Sequence, residues 1–183
     1  MDRFVTTVLR DCPGCPNPLI KEEVLAAAIE FCERSEIYTM DITVAVTAGD
    51  KTVTVSAPSN TRIVEINHIE IDDEKYFDFE HDEGVITLED KVSFSENWKI
   101  NVSLKPLKTV TSLPDILYHD WYQTIAAGAK AKLMIMSEKP WSNANLAVVQ
   151  ADLFEKGVKK AIRKALAKTL PTEKRRKRRS QWL

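Results

Sequence analysis

The chain has 183 residues, 44% of them hydrophobic and 29% charged, with a formal net charge of −1. That length fits one domain, or one domain carrying an inserted module, and the composition is ordinary for a soluble protein. The aliphatic runs are too short to span a bilayer, and three cysteines do not make a secreted disulfide framework.

In chain order, Phe4, Val5, Val8 and Leu9 are compatible with one or two helical turns. The opening Met1-Asp2-Arg3-Phe4 lacks a long apolar run, so no signal peptide is expected and synthesis and retention in a cytoplasm are. Residues 11–18, Asp-Cys-Pro-Gly-Cys-Pro-Asn-Pro, read as a loop. Asn17 is expected to cap, and Pro18 to open, a helix running to about Ser35, with Glu22 and Glu23 in its first turn. Ile20, Val24, Ala27 and Phe31 form its apolar stripe, widened by Leu25, Ile29 and Cys32.

From Met40 the period changes to two. Ile42, Val44 and Val46 alternate with polar residues, Ala48-Gly49-Asp50-Lys51 reads as a turn, and Thr52 to Val55 as the hairpin partner. Arg62 to Ile71, Tyr76 to Phe79, Val85 to Leu88 and Trp98 to Leu104 read as further strands, with a tight turn at Gly84. Six short strands predict an antiparallel sandwich or barrel-like module.

Helical periodicity returns at Leu113. Pro114 suits a helix start and Asp115 sits where the helix dipole favours an anion. Leu117, Trp121, Ile125, Ala129 and Leu133 predict one continuous helix, and small Gly128, Ala129 and Ala131 leave room for a close neighbour. Pro140 ends it, Trp141 is expected to plug the turn, and Asn143 to cap a second, antiparallel helix. That second helix is expected to bury Leu146, Ala147, Phe154, Val158, Ala161, Ala165 and Leu166.

The predicted fold is therefore α+β: a helical bundle body, an inserted antiparallel β module and an extended C-terminal arm. Its parts are 1–38, the N-terminal loop and helix; 39–107, the β module; 108–170, the helical hairpin; and 171–183, the arm.

The near-neutral total hides an asymmetry. Residues 171–183 hold six cations and one acid, whereas 1–170 holds 20 cations and 26 acids. The cations Lys174, Arg175, Arg176, Lys177, Arg178 and Arg179 repel one another, so the arm is expected to order only against a partner. It can neutralise phosphates, dock on a protein or remain a solvated tail. Trp182 and Leu183, apolar at its end, favour a protein surface, where Trp and Arg are prized.

Other chemistry is weakly signalled. Cys12 and Cys15 have the spacing of redox and zinc sites, but Cys32, His68, His81 and His119 are scattered singly, and Pro13, Gly14 and Pro16 suit a structural loop. His119 and Asp120 are adjacent helical positions that do not face one atom. Asp72-Asp73-Glu74 lacks the spacing of a calcium loop and reads as a solvated turn. No phosphate loop or nucleophile elbow appears. The chain is expected not to be an enzyme and to need no cofactor or metal.

Several stretches together resemble head-to-tail adaptor proteins of tailed bacteriophages. They are Cys12-Pro-Gly-Cys-Pro-Asn-Pro-Leu-Ile20, Ala28-Ile-Glu-Phe-Cys32, Leu113-Pro-Asp-Ile-Leu117, Ile125-Ala-Ala-Gly-Ala-Lys-Ala-Lys-Leu-Met134, Lys139-Pro-Trp-Ser-Asn143 and Phe154-Glu-Lys-Gly-Val158. The resemblance covers both helical regions and the order of the parts; the β stretch matches only in kind. It implies a homo-oligomeric ring, commonly a dodecamer, beneath the portal protein at the head-tail junction of a virion. The ring would continue the channel for viral DNA towards other tail or nozzle proteins, with no membrane involved. The arm, with Arg175, Arg176, Arg178, Arg179 and Trp182, would reach the portal, and portal carboxylates and packaged DNA are equal candidates for its target. A nucleic-acid-binding protein using the basic tail is the alternative.

Overall fold

The computed structural model describes residues 1–82 and 84–169. Within them the chain is mixed helix and strand. Two helices, α1 (Asp2–Asp11) and α2 (Asn17–Ser35), come first. Seven strands follow: β1 (Thr39–Val46), β2 (Thr52–Thr54), β3 (Thr61–Ile71), β4 (Glu74–Tyr76), β5 (Glu80–Asp82), β6 (Val85–Thr87) and β7 (Glu96–Pro106). Three helices, α3 (Asp115–His119), α4 (Tyr122–Met134) and α5 (Ala144–Thr169), complete the described residues.

The 3.6-residue stripes become one apolar cluster. Ile20, Val24, Ala27 and Phe31 of α2 are buried with Leu117, Trp121, Ile125 and Leu133, and α1 adds Phe4 and Val8. Asn17 is not the cap of α2. Extended Pro16 holds that position, its carbonyl accepting from Ile20 N–H at 3.1 Å. Helical geometry thus begins at Asn17, and Glu22 and Glu23 fall beyond the first turn. The helix expected to run on from Leu113 is broken between α3 and α4. Trp121 leaves helical geometry (φ −118°, ψ 12°) where its indole meets the Phe31 ring, centroids 5.2 Å apart. The apolar stripe survives the break because both pieces bury the same side.

Asn143 does cap α5. Its Oδ1 accepts from Leu146 N–H at 3.0 Å, satisfying an N–H of the open first turn. The buried side of α5 carries Ala147, Phe154, Val158 and Ala161, with Ala165 partly buried. Leu146 and Leu166, expected inside, are 44% and 53% exposed. The buried side is lined partly by alanines because α4 lies close against it. A Cβ on Gly128 would fall 2.7 Å from the Phe154 ring, and one on Gly157 2.2 Å from Thr124 Cγ2.

The strands form two antiparallel sheets, ordered β1-β7-β3-β4 and β2-β6-β5. Seven strands replace the expected six, because the Tyr76–Phe79 run is divided between β4 of one sheet and the approach to β5 of the other. The expected hairpin of β1 with β2 does not form: β1 pairs with β7, and β2 with β6. The turn at 47–50 is drawn instead to the 88–92 segment, Gly49 N–H donating to Val92 carbonyl at 2.8 Å and Val92 N–H to Asp50 carbonyl at 3.0 Å. This carries the chain across to the second sheet. Asp72 and Asp73, both at positive φ (50° and 65°), make the two-residue turn from β3 to β4. Gly84 (φ 87°) turns β5 into β6. Val53, Ile86, Ile69, Trp98, Ile100 and Val102 bring both sheets onto a second apolar cluster.

Tyr38 touches both clusters. Beside it, Leu104 N–H donates to the Tyr38 carbonyl at 2.8 Å, and Lys105 Nζ lies 2.5 Å from Glu33 Oε1. These contacts tie the end of α2 to β7. Among the described residues no helix is long and apolar enough to cross a membrane.

Candidate interaction surfaces

The arm residues Lys174, Arg175, Arg176, Lys177, Arg178, Arg179 and Trp182 lie outside the described residues. The helix that leads to them is described, and its outward side is chemically divided. Leu146, Val149, Leu153, Lys156, Lys160 and Arg163 recur at alternating steps of three and four, which places them along one side of α5. All six are exposed. The first three are apolar, 44%, 52% and 48% exposed; the last three are cationic. From Lys156 to Lys168 the helix carries six cations and no acid. Lys156 pairs with Asp152 at 2.6 Å and Lys164 reaches Asp120 at 3.5 Å. Lys159, Lys160, Arg163 and Lys168 make no ion pair among the described residues.

The second surface is acidic. Residues 72–82 hold six acids, Asp72, Asp73, Glu74, Asp78, Glu80 and Asp82, against Lys75. All six are exposed. They lie on and around β4 and β5, each the outer strand of its sheet, so the segment follows open sheet edges. Tyr76 and Phe77 stand among them, 45% and 46% exposed. Of these acids, Glu74 accepts from Tyr76 Oη at 3.2 Å; none is in an ion pair among the described residues.

Neither surface was apparent from the sequence. Leu146 looked like core because its spacing fits a stripe, and the only signal against it was that alanines occupy the opposite side. Asp72-Asp73-Glu74 did read as a turn, but that Tyr76 and Phe77 border an open edge follows from strand pairing. An apolar groove of about 310 Å³ between α2, α4 and α5 is lined by Ile135, Val148 and Phe154. It is flanked by the two-pronged Arg34–Glu155 pair (2.6 and 2.7 Å) and by Lys132–Glu30 (2.8 Å).

The remaining candidates are accounted for by packing. Cys12, Cys15 and Cys32 are buried free thiols. Burial pushes Cys12 up to about 11 and Cys32 up to about 12, and raises Cys15 as well. Such thiols stay protonated at neutral pH and are poor nucleophiles. No group of three His, Cys, Asp or Glu among the described residues is arranged to hold a metal ion. His119 packs edge-on against Tyr118 while neighbouring Asp120 reaches Lys164, so the two serve different contacts. His81 is held by Glu65 at 2.7 Å. His68 is buried against Phe77, and desolvation lowers its pKa. Trp141 is buried within the helical cluster, as its place in the turn suggested. No protein-family model and no curated protein sequence matches the chain.

Proposed function

We propose that the chain is a structural head-to-tail adaptor of a tailed bacteriophage. Copies assemble as a ring, of twelve by the family's habit, beneath the portal in the virion. The helical cluster serves as the bundle body, the strands as an inserted module, and residues 171–183 as the arm that docks on the portal. The ring continues the channel for viral DNA to the tail protein below, and the role is one of assembly rather than catalysis.

The observation that supports this most is the charge of α5. Its exposed cations run without an intervening acid from Lys156 to Lys168 and are followed by Lys174 to Arg179. That is a surface built to meet something acidic, and the terminal Trp182 offers an apolar anchor. Several residues that carry the resemblance, among them Cys12, Phe31, Leu117, Trp141 and Phe154, sit in one buried cluster, which suits scaffold motifs.

Truncation after Leu170 tests the docking role. The shortened chain is expected to keep its circular dichroism and melting profile and to lose co-sedimentation with portal rings. Normal attachment would overturn the reading. The same cations favour a second reading, in which the tail binds nucleic acid directly. That reading requires a gel shift with the isolated chain that falls steeply with salt and disappears on truncation.

A further inference from the structure

We infer that the outward side of α5 docks on the β4–β5 edge of a second copy of this chain. The inference rests on the reading that copies assemble side by side, and it names the surfaces that meet.

Three observations carry it. First, α5 presents an unpartnered side on which Leu146, Val149 and Leu153 are followed by Lys156, Lys160 and Arg163. A solvated helix has no need of three exposed apolar residues in register with its cations. Second, the β4–β5 edge offers the complement: six acids against one lysine, with Tyr76 and Phe77 exposed among them. Third, among the described residues no ion pair joins the two surfaces within one chain. Lys156 is held by Asp152 of its own helix, while Lys160, Arg163 and the six acids of the edge keep their charges for a neighbour.

Charge selects the geometry. Two copies of the acidic edge repel, which opposes strand-to-strand pairing through the open edge. Two copies of α5 repel in the same way along their cationic halves. Helix on edge is the combination in which opposite charges meet. Because the surfaces differ, the contact is heterologous. Such contacts repeat from copy to copy and close into a ring when the rotation allows. The arm plays no part in the contact, which leaves it available for the portal.

The test uses the full-length chain and its association by sedimentation velocity at low and high salt. The wild type is expected to associate at low salt and dissociate as salt rises. Lys160→Glu with Arg163→Glu is expected to weaken association at least about tenfold. Asp73→Lys with Asp78→Lys is expected to do the same, and an equimolar mixture of the two double variants to associate again. The mixture guards against misfolding, since a misfolded variant cannot restore a partner. A wild type that stays monomeric at low salt overturns the inference, as does a double variant that associates normally or a mixture that stays dissociated. Loss of association on truncation after Leu170 assigns the contact to the arm and overturns it too. Variants that lose only DNA retardation assign α5 to nucleic acid and overturn it as well. Unchanged association in the variants alongside failed portal attachment by the truncated chain sinks the surface and leaves the adaptor. The reverse pattern sinks the adaptor and leaves the surface.

Discussion

Lys130 lies on α4, only 6% exposed, with its Nζ 2.5 Å from Asp11 Oδ2. A buried ammonium needs a counter-charge, and Asp11 closes α1 at the loop that carries Cys12 and Cys15. The pair therefore clamps that loop to α4. Hydrogen bonding to Lys130 is the main reason the Asp11 carboxyl titrates below its ordinary value of 3.8. A carboxyl with a depressed folded-state pKa contributes its full stabilisation above the unfolded value, and loses it as pH falls through the folded one. Asp11→Asn is expected to cost about 1–3 kcal/mol at neutral pH, less than a fully buried pair because Asp11 is partly exposed. It should also flatten the fall in stability below about pH 4. Urea melts at neutral and acid pH check both. Equal stability at neutral pH would mean that the clamp is idle. The sequence held no sign of this pair, because its members are far apart in the chain and lysine is seldom buried.

At the scale of elements, sequence periodicity worked where large apolar residues face one way, as in α2 and in the stripe shared by α3 and α4. On α5 it placed Ala147, Phe154, Val158, Ala161 and Ala165 correctly and failed for Leu146 and Leu166, which face outward with Val149 and Leu153. Close packing against α4 suits small residues on the inward side, so burial there does not follow hydrophobicity alone. It failed again on strand pairing. The alternation in β1 and β2 was visible, but their partners β7 and β6 lie far along the chain. The cation run Lys174 to Arg179 is a matter of composition and lies outside the described residues; the surfaces on α5 and β4–β5 needed the fold. Gly157 tests the close-packing argument. Alanine there gains about 1 kcal/mol of helix propensity. Its Cβ would nevertheless sit 2.2 Å from Thr124 Cγ2 and 2.8 Å from Thr124 Cβ. The Cβ cannot rotate away, so α5 must shift from α4. Gly157→Ala is expected to lose about 1–3 kcal/mol net, and Thr124→Ala in the same chain to recover part of it. Thermal melts of the single and double variants decide. A stabilised single variant would show that the helices separate without penalty.

Across the whole molecule, packing and charge are distributed differently. One apolar cluster belongs to the helices and one to the sheets, and residues 39–107 hold 14 acids against six cations. The β module is thus the acidic part, and α5 with the arm the basic part. Stability is uneven as well. β7 lies between β1 and β3 and buries Trp98, Ile100, Val102 and Leu104. β4 has no buried residue and pairs with β3 alone. β5 is three residues long and pairs with β6 alone. Segments with few buried contacts open locally, without global unfolding. In high salt, which would part any charge-held copies, amides of 74–82 are expected to exchange at least about a hundredfold faster than those at the centre of β7. In low salt, where α5 of a neighbour would cover the edge, the same amides should slow while β7 stays unchanged. Hydrogen exchange read by mass spectrometry on the full-length chain measures both. Slow exchange of 74–82 in high salt would show that the edge is held within one chain, and salt-independent exchange would show that no neighbour reaches it.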